Sequence, residues 1–306
     1  MPRLLVRAVI TAAALLAVAA PAAFAVPNCA PALPAPVPMF SGGGVLESVI
    51  VDNQGRLYFT DSSKGALYRI DYPGGPAYPI AIGLANPGGL AFDADGRHLF
   101  IGVGNGFVGG LLGNLVPQAS IMRLDTATGS YTGFAYGLRM ANGLARASNG
   151  TLYASSDVGF TIDRISPAGV VTNNWAPVIS GNGLAIDPGD HWLYVNQTFV
   201  PAAIKRIPLD HPGPPETYVR PGLLDIAAGL DGLTIDPHGR LVAAANSGLS
   251  IWRVNADRSI CAVGRNLLLP SAVAYGHGST GFSAGHLYAV TFSGGVFEIP
   301  GGYVAP

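Results

Sequence analysis

The chain has 306 residues, 49% hydrophobic and only 11% charged, with a formal net charge of −1. So weak a charge excludes an electrostatic nucleic-acid partner, and no run of Lys or Arg marks a membrane-surface patch. The 42 glycines and 25 prolines fall between apolar segments at regular intervals, so they read as turns rather than as a disordered composition.

In chain order, residues 1–25 are expected to be a signal peptide. Arg3 and Arg7 form a basic start, AVITAAALLAVAA is a short apolar stretch, and Ala23-Phe24-Ala25 offers an A-x-A cleavage site. Residues 26–306 are then expected to form a single domain, secreted or held in the periplasm or cell envelope. No later segment approaches a spanning length, so no membrane anchor is expected after cleavage. Cys29 and Cys261 are the two cysteines, and in an exported chain they are expected to pair, two unpaired thiols being the alternative. Closing so long a loop would contribute about 4–5 kcal/mol in the chain-entropy account.

From Leu46 onward a strand-turn-strand unit recurs six times. The units read LESVIVDNQGRLYFTD, PGGLAFDADGRHLFIGV, ANGLARASNGTLYASSD, GNGLAIDPGDHWLYVNQ, LDGLTIDPHGRLVAAAN and PSAVAYGHGSTGF…GHLYAVTF. Their leading residues are Glu47, Gly88, Asn142, Asn182, Asp231 and Ser271, separated by 41, 54, 40, 49 and 40 positions. A period in the forties with this content predicts propeller blades. Each unit continues into a third strand (GALYRID, SIMRLD, TIDRIS, AIKRIP, LSIWRV, GGVFEI), and the first five into a fourth. The sixth lacks its own fourth strand, which Val37-Pro38-Met39-Phe40 is expected to supply. The fold class is therefore all-β, a six-bladed β-propeller with its last blade closed by the N-terminal strand. No helical period is visible after residue 25. The longer connections at 104–119 and 211–229 are glycine-rich and apolar, and suit a pocket mouth.

Innermost propeller strands all begin at one mouth of the central channel. The register thus gathers Glu47, Asn142, Asn182 and Asp231 around one axis, two carboxylates and two amides. Oxygen donors of this kind suit a hard divalent cation, calcium first, with zinc, manganese or magnesium as alternatives. An isolated Asn-Gly would read only as a turn, but four suitable donors at one repeat position out of six exceed that. Asp61, Asp157 and Asn196 end second strands, where each either lines the channel or caps it; Asp157 is the best candidate to support the ring. Asp52, Asp93, Asp187 and Asp236 recur as turn-formers. The six histidines lack ligand spacing to one another, and no G-x-S-x-G elbow supports serine chemistry.

These motifs resemble the SMP-30/gluconolactonase/luciferin-regenerating-enzyme-like family, relatives of paraoxonase, diisopropylfluorophosphatase and the strictosidine-synthase-like propellers. LESVIVDNQGRLYFTD resembles the family's opening segment, with Val49 and Val51 at its usual Pro and Trp positions. ANGLARASNGTLY, GNGLAIDP and LDGLTIDPHGRL are similar to its later blade openings. The resemblance implies that Glu47, Asn182 and Asp231 hold a catalytic divalent metal, and that Asn142 binds metal or substrate. It implies hydrolysis of a small-molecule lactone or ester, with Asp231 as general base or, in the phosphotriesterase variant, as nucleophile. The alternative is a propeller that keeps a structural ion and binds a ligand or a protein through its loops. The chain departs from the pattern at Gly88, where paraoxonase-like members carry a His, and at Ser271, where strictosidine synthases carry a Glu. Thr234 does not support the second calcium site of some relatives, and the family's sugar-binding Arg has no match.

Overall fold

A computed structural model describes residues 26–199 and 201–302, and the expected signal peptide lies outside them. Six four-stranded antiparallel sheets form among the described residues, five of them in sequence order from the axis outward. The first holds β2 (Leu46–Val51), β3 (Leu57–Asp61), β4 (Ala66–Ile70) and β5 (Tyr78–Ile82). In the sixth, β22 (Pro270–Tyr275), β23 (Leu287–Thr291) and β24 (Val296–Ile299) are completed by β1 (Val37–Phe40), antiparallel to β24. The N-terminal strand thus closes the ring as its sequence position predicts, and leaves no open edge between the ends of the chain.

The second strands are buried along nearly their whole length, because each blade is covered on both faces. Six apolar clusters among the described residues correspond to the six junctions between neighbouring blades. Tyr58, Leu67 and Leu99, for example, join the first two blades, and Leu230, Ala243 and Trp252 meet Tyr194 and Ile204 across the fourth and fifth. The recurring aspartates do act in turns: Asp52 Oδ1 accepts from the Gln54 and Arg56 amides, and Asp236 Oδ1 from those of His238 and Arg240.

Near the axis the chain is held by close backbone approach. Gly89, Gly143, Gly183 and Gly232 each follow a leading residue. A Cβ on any of them would lie 2.3–2.8 Å from the backbone oxygen of the next blade's leading residue, namely Asn142, Asn182, Asp231 and Ser271. These glycines serve contact between blades, not the turns that Asn-Gly pairs suggest in isolation.

One helix departs from expectation. Within the 104–119 connection, α1 (Phe107–Gly113) forms about two turns. It escapes a periodicity reading because its buried positions are Gly110 and Gly113, while Phe107, Val108, Leu111 and Leu112 face outward. A Cβ at Gly110 would meet Met140 Sδ at 2.6 Å, and one at Gly113 the Arg139 oxygen at 1.9 Å. Packing against the blade, rather than helical propensity, holds this segment.

Cys29 and Cys261 form a disulfide spanning 232 residues of sequence. The Cys29 amide donates to the Ala262 oxygen and the Ala262 amide to the Pro27 oxygen, and the Arg265 guanidinium donates to the Val26 oxygen and Asn28 Oδ1. The N-terminal segment is therefore stitched to the fifth blade before it completes the sixth. Replacing both cysteines (C29S/C261S) should lower unfolding free energy by about 2–5 kcal/mol, read from urea melts of oxidised protein. Gly183→Ala should cost about 1–3 kcal/mol by overpacking, whereas Gly213→Ala, with nothing within 4 Å of its new Cβ, should leave the same melt unmoved.

Candidate functional site

The inner strands present their leading residues through a repeated irregularity. Pairing with the second strand slips between Leu46 and Val49, Gly181 and Leu184, Leu230 and Leu233, and Pro270 and Ala272. Such bulges bend a strand and re-aim a side chain. They fall at Glu47, Asn182, Asp231 and Ser271. In the second and third blades, β6 (Leu90–Phe92) and β10 (Leu144–Arg146) begin only after Gly88 and Asn142, so these two residues precede regular pairing.

The backbone beneath the ring is fixed by buried side chains from the preceding blade. Thr60 Oγ1 donates to the Gly88 oxygen at 3.1 Å, Ser155 Oγ to the Asn182 oxygen at 2.5 Å, and Asn196 Nδ2 to the Asp231 oxygen at 2.7 Å. Ser271 Oγ donates to the Leu46 oxygen at 2.6 Å, across the closure of the ring. Asn196 is thus a strut rather than a channel-lining group. Asp61 is a cap, accepting from the Gly44 and Lys64 amides and the Ser63 hydroxyl.

Glu47, Asn142, Asn182 and Asp231 all line one cavity of about 380 Å³, so the structure brings the four sequence candidates together. They also line the top of the central channel below it. Asp157 joins them, as do Asn105 and Asn246. Asp157 and Asn246 occupy equivalent repeat positions, each 15 residues after its leading residue, three residues past the second strand Leu152–Ala154 and one past Leu241–Ala245 respectively. Asn105 lies two residues past its own. None of the described residues lining the cavity is basic.

The electrostatics follow from that enclosure. Burial raises the Glu47 carboxyl to about 8, Asp157's charge adds to the rise, and the Asn105 amide opposes it. Part of the Glu47 side chain still opens onto the cavity. Asp231 is driven well above the ordinary carboxylate range by burial, then by the charges of Glu47 and Asp157; the Asn182 and Asn246 amides oppose this. Asn246 Nδ2 lies 3.4 Å from Asp231 Oδ2. Burial also lifts Asp157 to about 6, against the Val158 amide.

The donor atoms fit a hard cation. Asp157 Oδ1 is buried with no partner, and the Asn105 amide, though it faces Glu47 closely enough to oppose its rise, makes no bond of good geometry, a state that buried polar groups rarely hold. Carboxylate and amide oxygens without thiol or imidazole match calcium-type coordination. The acidic cluster Asp93, Asp95 and His98 is a different case. It sits in the turn between β6 and β7 (His98–Val103) at the opposite end of the inner strands, and Asp93 is neutralised by Arg123 at 2.9 Å and Arg146 at 3.1 Å. Gly88 also finds its explanation here. A Cβ at this position would meet Asn105 Nδ2 at 2.9 Å, so Asn105 fills the space beside a residue with no side chain.

The sequence profile of the SMP-30/Gluconolactonase/LRE-like region matches residues 46–280. Among solved structures, a gluconolactonase from Xanthomonas campestris superposes with a TM-score of 0.69 at 18% identity, covering 92% of this chain and 99% of its own. Regucalcin from Agrobacterium tumefaciens, described as a calcium-binding protein, gives 0.68 at 18% identity over 87% of this chain and 93% of its own. A luciferin-regenerating enzyme gives 0.68 at 14% identity, over 87% and 95%. These likenesses are of fold. No curated protein matches the chain.

The ring predicts a pH signature of the metal-free protein. Glu47 rises on folding from 4.5 to about 8, so protonation favours the folded state. That contribution is complete below pH 4.5 and is lost as pH climbs through about 8. In chelator, Glu47→Gln should therefore gain melting temperature relative to the parent across this window, and calcium should close the gap. A difference independent of pH would show that Glu47 is not held among uncompensated acids.

Proposed function

The chain belongs to the SMP-30/gluconolactonase/LRE-like family, and we propose that it is an exported, divalent-metal-dependent hydrolase of lactones or related esters. The observation that carries this reading is the pairing of Glu47 and Asp231 with the Asn142 and Asn182 amides at one cavity floor, with no basic residue among the described ones that line it. Glu47, Asn142, Asn182 and Asp231 would hold the ion. Calcium is the reading for it, on the oxygen-only donor set and on the calcium-binding description of the regucalcin neighbour. When bound, the ion supplies charge neutralisation and Lewis-acid polarisation of a carbonyl oxygen.

The remaining steps belong to the chain's own side chains. Asp231 takes the proton from the attacking water as general base. The water oxygen forms the new bond to the carbonyl carbon. The ester C–O bond then breaks, and Asp231 returns the proton to the departing alkoxide. Asn182 and Asn246 hold the Asp231 carboxylate in place. Asn142 faces the same cavity and is assigned to the substrate as well as to the ion.

Export rests on the N-terminal pattern of residues 1–25 and on the Cys29–Cys261 disulfide, which suits an oxidising compartment. Residues 26–306 would be the mature, single-domain propeller.

The test is hydrolysis of a lactone panel with calcium, with manganese or zinc, and with chelator. Metal-dependent turnover should fall about 10²- to 10⁴-fold in Asp231→Asn. Turnover that survives both chelator and the substitution would sink this reading. Calcium that raises the melting temperature without any turnover would favour a binding propeller with a structural ion.

A further inference from the structure

We propose, on the hydrolase reading above, that the site is built for neutral lactones or esters bearing an apolar tail rather than for polyhydroxylated sugar lactones. The cavity has two chemical levels. At its floor lie the ring, Asn105 and the unpartnered Oδ1 of Asp157. Its walls are Phe107, Met140, Phe199, Ala227 and Phe292, each supplied by a connection at the mouth where the ring residues open.

Two of the three polar side chains above the floor are already engaged, and the third, Ser247, is exposed at the rim. Thr198 Oγ1 donates to the Leu230 oxygen at 2.8 Å, and Asn246 Nδ2 faces Asp231 Oδ2 and the Pro270 oxygen. A sugar hydroxyl placed against Phe107, Met140 or Phe292 would lose water and find no partner, a cost of one to several kcal/mol for each group on general grounds. An alkyl chain there loses nothing. The lack of a basic group among the described lining residues also argues against an anionic tail.

The rim continues the same chemistry. The inverted packing of α1 turns its glycines inward, and leaves Phe107 at the cavity edge and Leu111 and Leu112 beside it. Leu115 and Leu223 are 82% and 86% exposed, and Phe160 and Ile179 lie in connections at the same mouth, more than half exposed. Apolar surface concentrated around a concave site marks a ligand-binding groove. A tail longer than the cavity is thereby met by a greasy rim.

The experiment compares γ-butyrolactone, γ-hexalactone, γ-octalactone and γ-decalactone with glucono-1,5-lactone. Alongside, calorimetry measures binding of 2-alkylcyclopentanones, ketones of matched tail length that cannot be hydrolysed. kcat/KM should climb about two- to fourfold per methylene along the γ-lactones, and ketone binding should tighten in step. Phe199→Ser and Phe107→Ser should flatten both slopes. Turnover that ignores tail length, or favours glucono-1,5-lactone, would overturn this inference and leave the hydrolase reading standing. Ketone binding that tightens with tail length without turnover of any lactone would sustain the apolar site and sink the hydrolase reading. Slopes unchanged in both serine variants would place the tail elsewhere and also overturn the inference.

Discussion

The structure depends on how closely six inner strands approach one another at the axis. At four of the six junctions a glycine sits directly behind the leading residue, and its missing side chain lets the next blade's backbone come within van der Waals reach. A buried hydroxyl or amide from the second strand then donates to that backbone at the Thr60, Ser155 and Asn196 positions. At Asn182 and Asp231 the two devices act on the same oxygen. One sets the distance between blades, and the other fixes the height and rotation of the peptide that bears the ring side chain. Orientation of Glu47, Asn142, Asn182 and Asp231 is therefore a property of the whole ring closure, which β1 and the Cys29–Cys261 bridge complete far from the site.

That rigidity explains why the ring can carry acids that elsewhere would be costly. Asp231 is buried beside two other carboxylates, and each disfavours ionisation of the others. A flexible site would relieve this by turning a side chain to water. Here the bulged strands hold the groups inward, so without a cation the acids answer their crowding by retaining protons. The contrast with Asp93, Asp95 and His98 is instructive, since that cluster meets Arg123 and Arg146 and carries no comparable surplus of acid. Acidic residues close in space are common; acidic residues without a cation in reach are the informative ones.

Much of this is legible in the sequence, and the limits have physical causes. The repeat register identifies the ring because inner strands share one orientation about the axis, so equal positions in the repeat meet in space. It also places Val37–Phe40 on the last blade, since the sixth unit ends one strand short. Asn105 escapes notice because it lies beyond its repeat unit, in a connection whose length varies; Asn246 sits at the same repeat position as Asp157 but, as an amide at the end of an alanine-rich strand, reads as a turn residue. Asp61, Asp157 and Asn196 look alike as strand ends, yet they become a cap, a cavity group and a strut. A shift of one residue along a pleated strand changes the face a side chain meets. The helix α1 is invisible to periodicity because its packing face is made of glycine.

Chemistry and selectivity consequently arise from different parts of the chain. The ring sits on inner strands whose residues are tied by contacts on both sides, so each position is constrained by its neighbours' backbone. The cavity walls come from connections such as α1 and the segment around Phe199, which touch the ring but do not build it. Changing a wall residue alters which groups lose water beside the floor without moving the Asp231 peptide. In this chain the inward glycines of α1 and the aromatic walls point the same way, since each adds apolar surface above the ring.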